Sequence, residues 1–115
     1  MGRSGLRVSE LALGTMTFGE DWGWGADRRE SRKIFEAFAG AGGTLIDTAN
    51  RYTEGTAEKF VGEFIKKERE RFVLGTKYTL FTRRDDPNAS GNHRKNMMHS
   101  LEASLKRLDT EYIDL

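Results

Sequence analysis

Thr44-Leu45-Ile46-Asp47 and Phe72-Val73-Leu74-Gly75-Thr76-Lys77 close the two ends of one unit, and its reading decides the fold. Each is a short, continuous apolar run that ends on or just before a charged residue. Between them Phe60, Val61, Phe64 and Ile65 recur at helical spacing. Thr56 is placed to cap that helix, and Glu58 falls in its first turn, where the helix dipole favours a carboxylate. Strands that are apolar throughout, rather than alternating, are buried on both faces, and a helix between two of them makes the pair parallel.

The same pattern extends in both directions. Upstream, Ser4-Gly5 predicts a turn, Leu6-Arg7-Val8 a short strand, and Leu11-Ala12-Leu13-Gly14 a buried strand. Thr15 to Gly25, with Phe18, Trp22 and Trp24, reads as a loop. Asp27 then caps a helix, with Glu30 three residues on in a box-like start; Ile34, Phe35, Phe38 and Ala41 give its apolar face, and Gly40, Gly42 and Gly43 its stop. Downstream, Thr82 to Asn92 is a polar loop holding the only proline, Pro87. A helix is predicted from about Arg94 to Leu108, with Met98, Leu101, Leu105 and Leu108 facing inward. Tyr112-Ile113-Asp114-Leu115 reads as a fourth buried strand. No linker or charge block divides residues 1–115, so they are read as one unit.

Composition narrows the function classes. The chain has 115 residues, 37% hydrophobic and 32% charged, with 19 Lys+Arg against 18 Asp+Glu and a net charge of +1. That balance gives no electrostatic footprint for nucleic acid or an anionic membrane. There is no cysteine, which removes disulfides and thiolate metal sites and fits a cytoplasmic protein. His93 and His99 have no acidic cluster beside them, so no metal site is expected.

In a parallel sheet the strands point one way. Gly14, Asp47 and Lys77 follow three successive strand ends and belong on the carboxyl rim, where α/β active sites form. Adjacent strands lie about 4.8 Å apart, which puts Asp47 and Lys77 within ion-pair reach if their strands are neighbours. Tyr52 follows Asp47 on the loop above that rim. A phenol titrates near 10, and a nearby ammonium stabilises the phenolate. Such a phenol can give its proton to a carbonyl oxygen as a hydride reaches the carbon. Tyr78 also neighbours Lys77, but strand alternation turns it to the opposite face. Each group alone has a plainer reading: Asp47 a cap or hydrogen-bond acceptor, Tyr52 a half-buried aromatic, Lys77 a solvated charge, Tyr112 a packing residue. Trp22 and Trp24, with Phe18, could simply cover the mouth of the sheet.

The residues taken in order resemble the aldo-keto reductase family. Gly5-Leu6-Arg7-Val8-Ser9 and Leu11-Ala12-Leu13-Gly14-Thr15-Met16 resemble the family's opening, and Ile46-Asp47-Thr48-Ala49 with Tyr52 its first signature. Thr76-Lys77 resembles the lysine strand. Ser104-Leu105-Lys106-Arg107-Leu108 and Tyr112-Ile113-Asp114-Leu115 resemble the segment leading into the fourth strand. The resemblance implies the first half of a TIM (β/α)8 barrel, a fold of ~250 residues when whole. This half would have four parallel core strands and three helices, completed by association. It implies a tetrad whose first three members are Asp47, Tyr52 and Lys77, with a histidine beyond the segment. It implies NADPH as cofactor, its nicotinamide end near Gly14, Thr15, Met16 and Asp47, with most phosphate and adenosine contacts in the other half of the barrel. A small carbonyl compound would be the substrate, and by the same resemblance Trp22, Trp24 and Phe18 could line its pocket.

The same resemblance implies weak or absent activity for this chain alone. Open strand edges and uncovered apolar surface predict a homo-oligomer or a complex with a complementary C-terminal half. Two other readings stand beside the reductase: a self-associating half-barrel that binds small molecules, and a gene fragment without catalytic function.

Overall fold

A computed structural model describes residues 1–115. Three short strands, β1 (Ala12–Gly14), β2 (Leu45–Asp47) and β3 (Val73–Gly75), form one parallel sheet in the order β1-β2-β3. Three helices follow them in turn: α1 (Arg28–Gly40), α2 (Thr56–Ile65) and α3 (Arg94–Leu108). A 3-10 turn, Tyr52–Gly55, leads into α2, and a second, Lys66–Arg71, leads out of it. The register aligns Leu13, Ile46 and Leu74 across the sheet, and likewise Gly14, Asp47 and Gly75. The first row is the helix-facing side. Ile46 and Leu74 are fully buried against Phe35, Val61, Phe64 and Ile65, with Leu13 packed beside them. Burying each such side chain contributes about 1.5–3 kcal/mol. The second row opens onto the opposite face.

The strand expectations need three corrections. Residues 6–8 form no strand. β1 is not the buried strand expected over residues 11–14: it spans Ala12–Gly14 with Ala12 and Gly14 exposed and Leu13 half-buried, and Leu11 before it is 79% exposed. The expected fourth strand is absent: residues 112–115 form no ladder, and Tyr112 and Leu115 are about half exposed. That segment does run alongside β3. Asp114 N and Leu115 N both donate to Leu74 O, at 3.0 and 3.2 Å, and Thr76 N donates to Leu115 O at 3.1 Å. The Asp114 carboxylate also accepts from Leu74 N at 2.9 Å, so a side chain takes one position that a paired strand's backbone would occupy.

The helices form where periodicity places them, but not always on the faces expected. Asp27 caps α1 by accepting from Glu30 N at 2.7 Å, whereas the Glu30 side chain binds Lys33 and leaves the box open. The inner face of α1 is Ser31, Phe35 and Ala39; Ile34 is exposed. In α2 the expected stripe is present, joined by Ala57, Gly62 and Glu58. Its N-cap is Gly55 rather than Thr56 and offers no side-chain acceptor; the Thr53 hydroxyl, from the preceding turn, accepts from Ala57 N at 3.1 Å. The bounds of α3 are as predicted, but its buried face is Asn96, Ser100, Ser104 and Leu108, while Met97, Met98 and Leu101 are exposed. Small side chains let α3 come close: a Cβ on Gly62 of α2 would sit 2.2 Å from the Leu108 carbonyl oxygen. The polar ones are satisfied within the fold, Asn96 donating to the carbonyls of Tyr78 and Gly91.

Candidate active site

β2 and β3 carry their pairing past the strand ends. Thr48 N donates to Gly75 O at 2.9 Å and Asn50 N to Lys77 O at 3.1 Å, so the two chains stay side by side as they leave the sheet. That continuation brings Lys77 over Asp47. The Lys77 ammonium donates to Asp47 Oδ1 at 2.6 Å, to the Thr48 carbonyl at 3.0 Å and to the Tyr52 hydroxyl at 3.1 Å. The three side chains expected on one rim therefore meet at one nitrogen. Burial is the largest single influence on Lys77 and works to lower its pKa. The hydrogen bonds and charges of Asp47 and Tyr52 together outweigh it and hold the ammonium above the ordinary lysine value.

Tyr52 is turned back toward the sheet by the segment after it. Tyr52 N donates to Ala49 O at 3.1 Å, and Thr53 and Glu54 then take left-handed backbone conformations, φ 45° and 56°. A β-branched residue in that region is strained, at a cost on the order of 1–3 kcal/mol. Thr53 is held there because it is fully buried and its hydroxyl donates to Phe18 O at 2.5 Å while accepting from Ala57 N.

The sheet's open face forms a cavity of about 480 Å³ lined by Ala12, Gly14, Asp47, Gly75 and Lys77, among others. Of the residues expected to meet a cofactor, Gly14 stands in register with Asp47 and has open space where a Cβ would go. Thr15 is buried, its backbone N–H and its hydroxyl both donating to Asp47 O at 3.0 Å. Met16 is 46% exposed. An open glycine floor beside a carboxylate, ammonium and phenol suits a flat, reducible ring. Lys77 is the only lysine or arginine lining this cavity, so the residues fit the reactive end of a dinucleotide rather than its phosphates.

Other candidates separate. The Tyr78 hydroxyl donates to Asn92, away from Asp47. Phe18 is core, 1% exposed, and does not line the rim. Trp22 and Trp24 pair with ring centroids 5.7 Å apart, and Trp22 Nε1 donates to Glu54 Oε1 at 3.0 Å, so the indoles are tied to the turn that follows Tyr52. His93 caps α3. Tyr112 lies under the Arg69 guanidinium, 3.9 Å from its ring centroid. Sequence reasoning missed Glu58 as an interior group. It is fully buried and paired with Arg107 of α3 at 2.5 Å. The usable signal was its place between Ala57 and Val61, on the apolar face of α2.

Comparison with known proteins agrees with the geometry. A family model described as the aldo/keto reductase family matches residues 10–115. The chain is 41% identical to norsolorinic acid reductase of Aspergillus flavus, over 97% of this chain and 31% of that protein. It is 40% identical to an aryl-alcohol dehydrogenase [NADP(+)] of Phanerodontia chrysosporium, over 96% of this chain and 32% of that protein. Among solved structures, the holo form of an aldo-keto reductase from Bacillus halodurans superposes with a TM-score of 0.82 at 30% identity, over 97% of this chain and 36% of that one. The chain thus spans about a third of the length of these relatives. With a parallel sheet of the family's kind and a family match over nearly its whole length, the chain belongs to the aldo/keto reductase family.

Proposed function

We propose that this chain supplies the proton-donating part of a carbonyl-reducing site, with NADPH as the reductant and an aryl aldehyde or ketone as substrate. The observation that carries the reading is the Lys77 ammonium held between Asp47 Oδ1 at 2.6 Å and the Tyr52 hydroxyl at 3.1 Å. The bound cofactor would supply a hydride. Tyr52 gives its proton to the carbonyl oxygen as negative charge develops there, and Lys77 stabilises the phenolate left behind. Asp47 keeps Lys77 charged and in place. Gly14, Thr15 and Met16, with Asp47, would hold the nicotinamide end, Gly14 by leaving the floor of the cavity open.

Two features support an aromatic substrate. The Trp22–Trp24 pair is anchored to Glu54 beside the Tyr52 turn, within the loop that rises over the rim. The aryl-alcohol dehydrogenase relative is named for the reverse of such a reduction. The cavity on the sheet's open face and the exposed Leu11, Met97, Met98 and Leu101 support completion of the site by association, with a second copy or with a complementary C-terminal half of the barrel. Residues 1–115 would then be one incomplete barrel unit rather than a self-sufficient domain.

The reading is tested by titrating the full chain with NADPH, following cofactor fluorescence, and then adding an aromatic aldehyde and following absorbance loss. Binding with slow turnover, abolished by Tyr52→Phe with binding retained, is the expected result. No fluorescence change up to millimolar cofactor would sink it. Sedimentation tests association, and a stable monomer would contradict that part. A binding module without catalysis would show a ligand-dependent change but no turnover in any oligomeric state.

A further inference from the structure

Glu58 is the one fully buried ionisable side chain, and the chemistry proposed above does not use it. Its two oxygens go to different elements. Oε1 accepts from the Thr76 hydroxyl at 2.8 Å, and Oε2 accepts from Arg107 Nε at 2.5 Å. Thr76 is the first residue beyond β3 and immediately precedes Lys77. Arg107 comes from α3, and its side chain lies over the turn after Tyr52: a Cβ on Gly55 would sit 2.8 Å from Arg107 Cδ and 3.1 Å from its Nε. Glu58 itself belongs to the first turn of α2, which grows directly out of the Tyr52–Gly55 turn.

The buried carboxylate is therefore attached to both sides of the 3.1 Å contact between Lys77 and Tyr52. On the Lys77 side the attachment is Thr76. On the Tyr52 side it is α2, pressed down by Arg107. Such a tie has a physical use. The Lys77 and Asp47 side chains are 50% and 45% exposed, and half-exposed charged chains lose entropy when held in one geometry and are not fixed by their own attraction. The backbones that carry them must be positioned from beneath, and small displacements at a reacting centre are costly.

We infer that Glu58, through Thr76 and Arg107, is a positioning residue that sets the Lys77 ammonium against Tyr52. The inference rests on the proposed site, and deepens it. The groups facing Glu58 are Arg107 from α3 and Thr76 beyond β3; those facing Lys77 are Asp47 at the end of β2 and Tyr52 in the turn.

The test reads Lys77 rather than activity. The full chain is labelled with 13Cε-lysine, the Lys77 signal assigned with Lys77→Arg, and its titration midpoint measured. Thr76→Val removes only the hydroxyl that reaches Glu58 and leaves the Glu58–Arg107 pair intact; Thr76→Ser restores the hydroxyl. The expected result is a Lys77 midpoint that falls by about 0.5 pH unit or more in Thr76→Val, recovers in Thr76→Ser, and falls also in Glu58→Gln. Circular dichroism should show Thr76→Val folded. Should Glu58→Gln not fold, the threonine pair carries the test alone. A raised parent midpoint that Thr76→Val leaves unmoved overturns the positioning role while sparing the proposed site. A parent Lys77 that titrates as free lysine does overturns both.

Discussion

Replacing Gly62 by alanine sets two effects of known size against each other. In an open helix interior the change stabilises by about 0.5–1 kcal/mol, because glycine gives up more backbone freedom on folding. Gly62 is buried in α2, facing the end of α3. A Cβ there would lie 2.2 Å from the Leu108 carbonyl oxygen, 2.6 Å from its carbon and 2.7 Å from its Cα. All three are backbone atoms, so no rotamer change relieves the overlap. Reaching an ordinary contact near 3.4 Å requires the helices to part locally by roughly 1 Å in an interior packed as densely as a crystal. Overpacking of this kind costs about 1–3 kcal/mol. The steric loss outweighs the entropic gain, and Gly62→Ala should destabilise by about 1–2 kcal/mol, or several degrees in melting temperature. Gly40 is the matched control. It ends α1, is exposed, and has nothing within 4 Å of an added Cβ, so Gly40→Ala should leave stability unchanged or raise it. Urea midpoints of both variants against the parent decide the matter. The reasoning is refuted if Gly62→Ala is as stable as the parent, or if the two variants shift the same way.

Two further outcomes follow from the surface of α1. Asp27→Ala removes the acceptor for Glu30 N and should cost about 0.5–2 kcal/mol, seen as a lower urea midpoint; Asp27→Ser should recover most of it. Glu63 of α2 is bound to Arg28 and to Arg32, the latter at 2.6 Å, and its carboxyl is held below the ordinary value chiefly by the hydrogen bond from Arg28. A carboxyl lowered in the folded state contributes stability above its ordinary range and loses it as pH falls through the lowered value. Parent and Glu63→Gln should therefore differ most at neutral pH and converge in acid, as thermal melts across the pH range would show; a gap that widens in acid would contradict the pairing.

The parts of the site legible in the sequence were those governed by local rules. Asp47 and Lys77 stand at the ends of apolar runs, and parallel strands bring their ends to one rim. The α3 bounds, Arg94–Leu108, followed from a polar loop before and a break after. What failed involved surfaces whose partner the residues do not name. Leu11, Met98, Leu101 and Leu115 are apolar, and periodicity assigns them to an interior, yet each is exposed here. Glu58, Asn96, Ser100 and Ser104 are polar, and hydropathy assigns them outward, yet each is buried with a partner.

Sequence by itself determined the family, the parallel α/β order and the three residues that converge on one rim. These depend on residue type at fixed spacing, and spacing along a strand or helix is local geometry. Tertiary structure alone decided the 2.6 and 3.1 Å contacts of Lys77, the left-handed turn that aims Tyr52, and the buried Glu58–Arg107 pair beneath them. Those depend on which elements approach one another: β2 and β3 running on side by side set the Lys77 contacts, and α2 meeting α3 where Gly62 leaves no side chain between them encloses the Glu58–Arg107 pair.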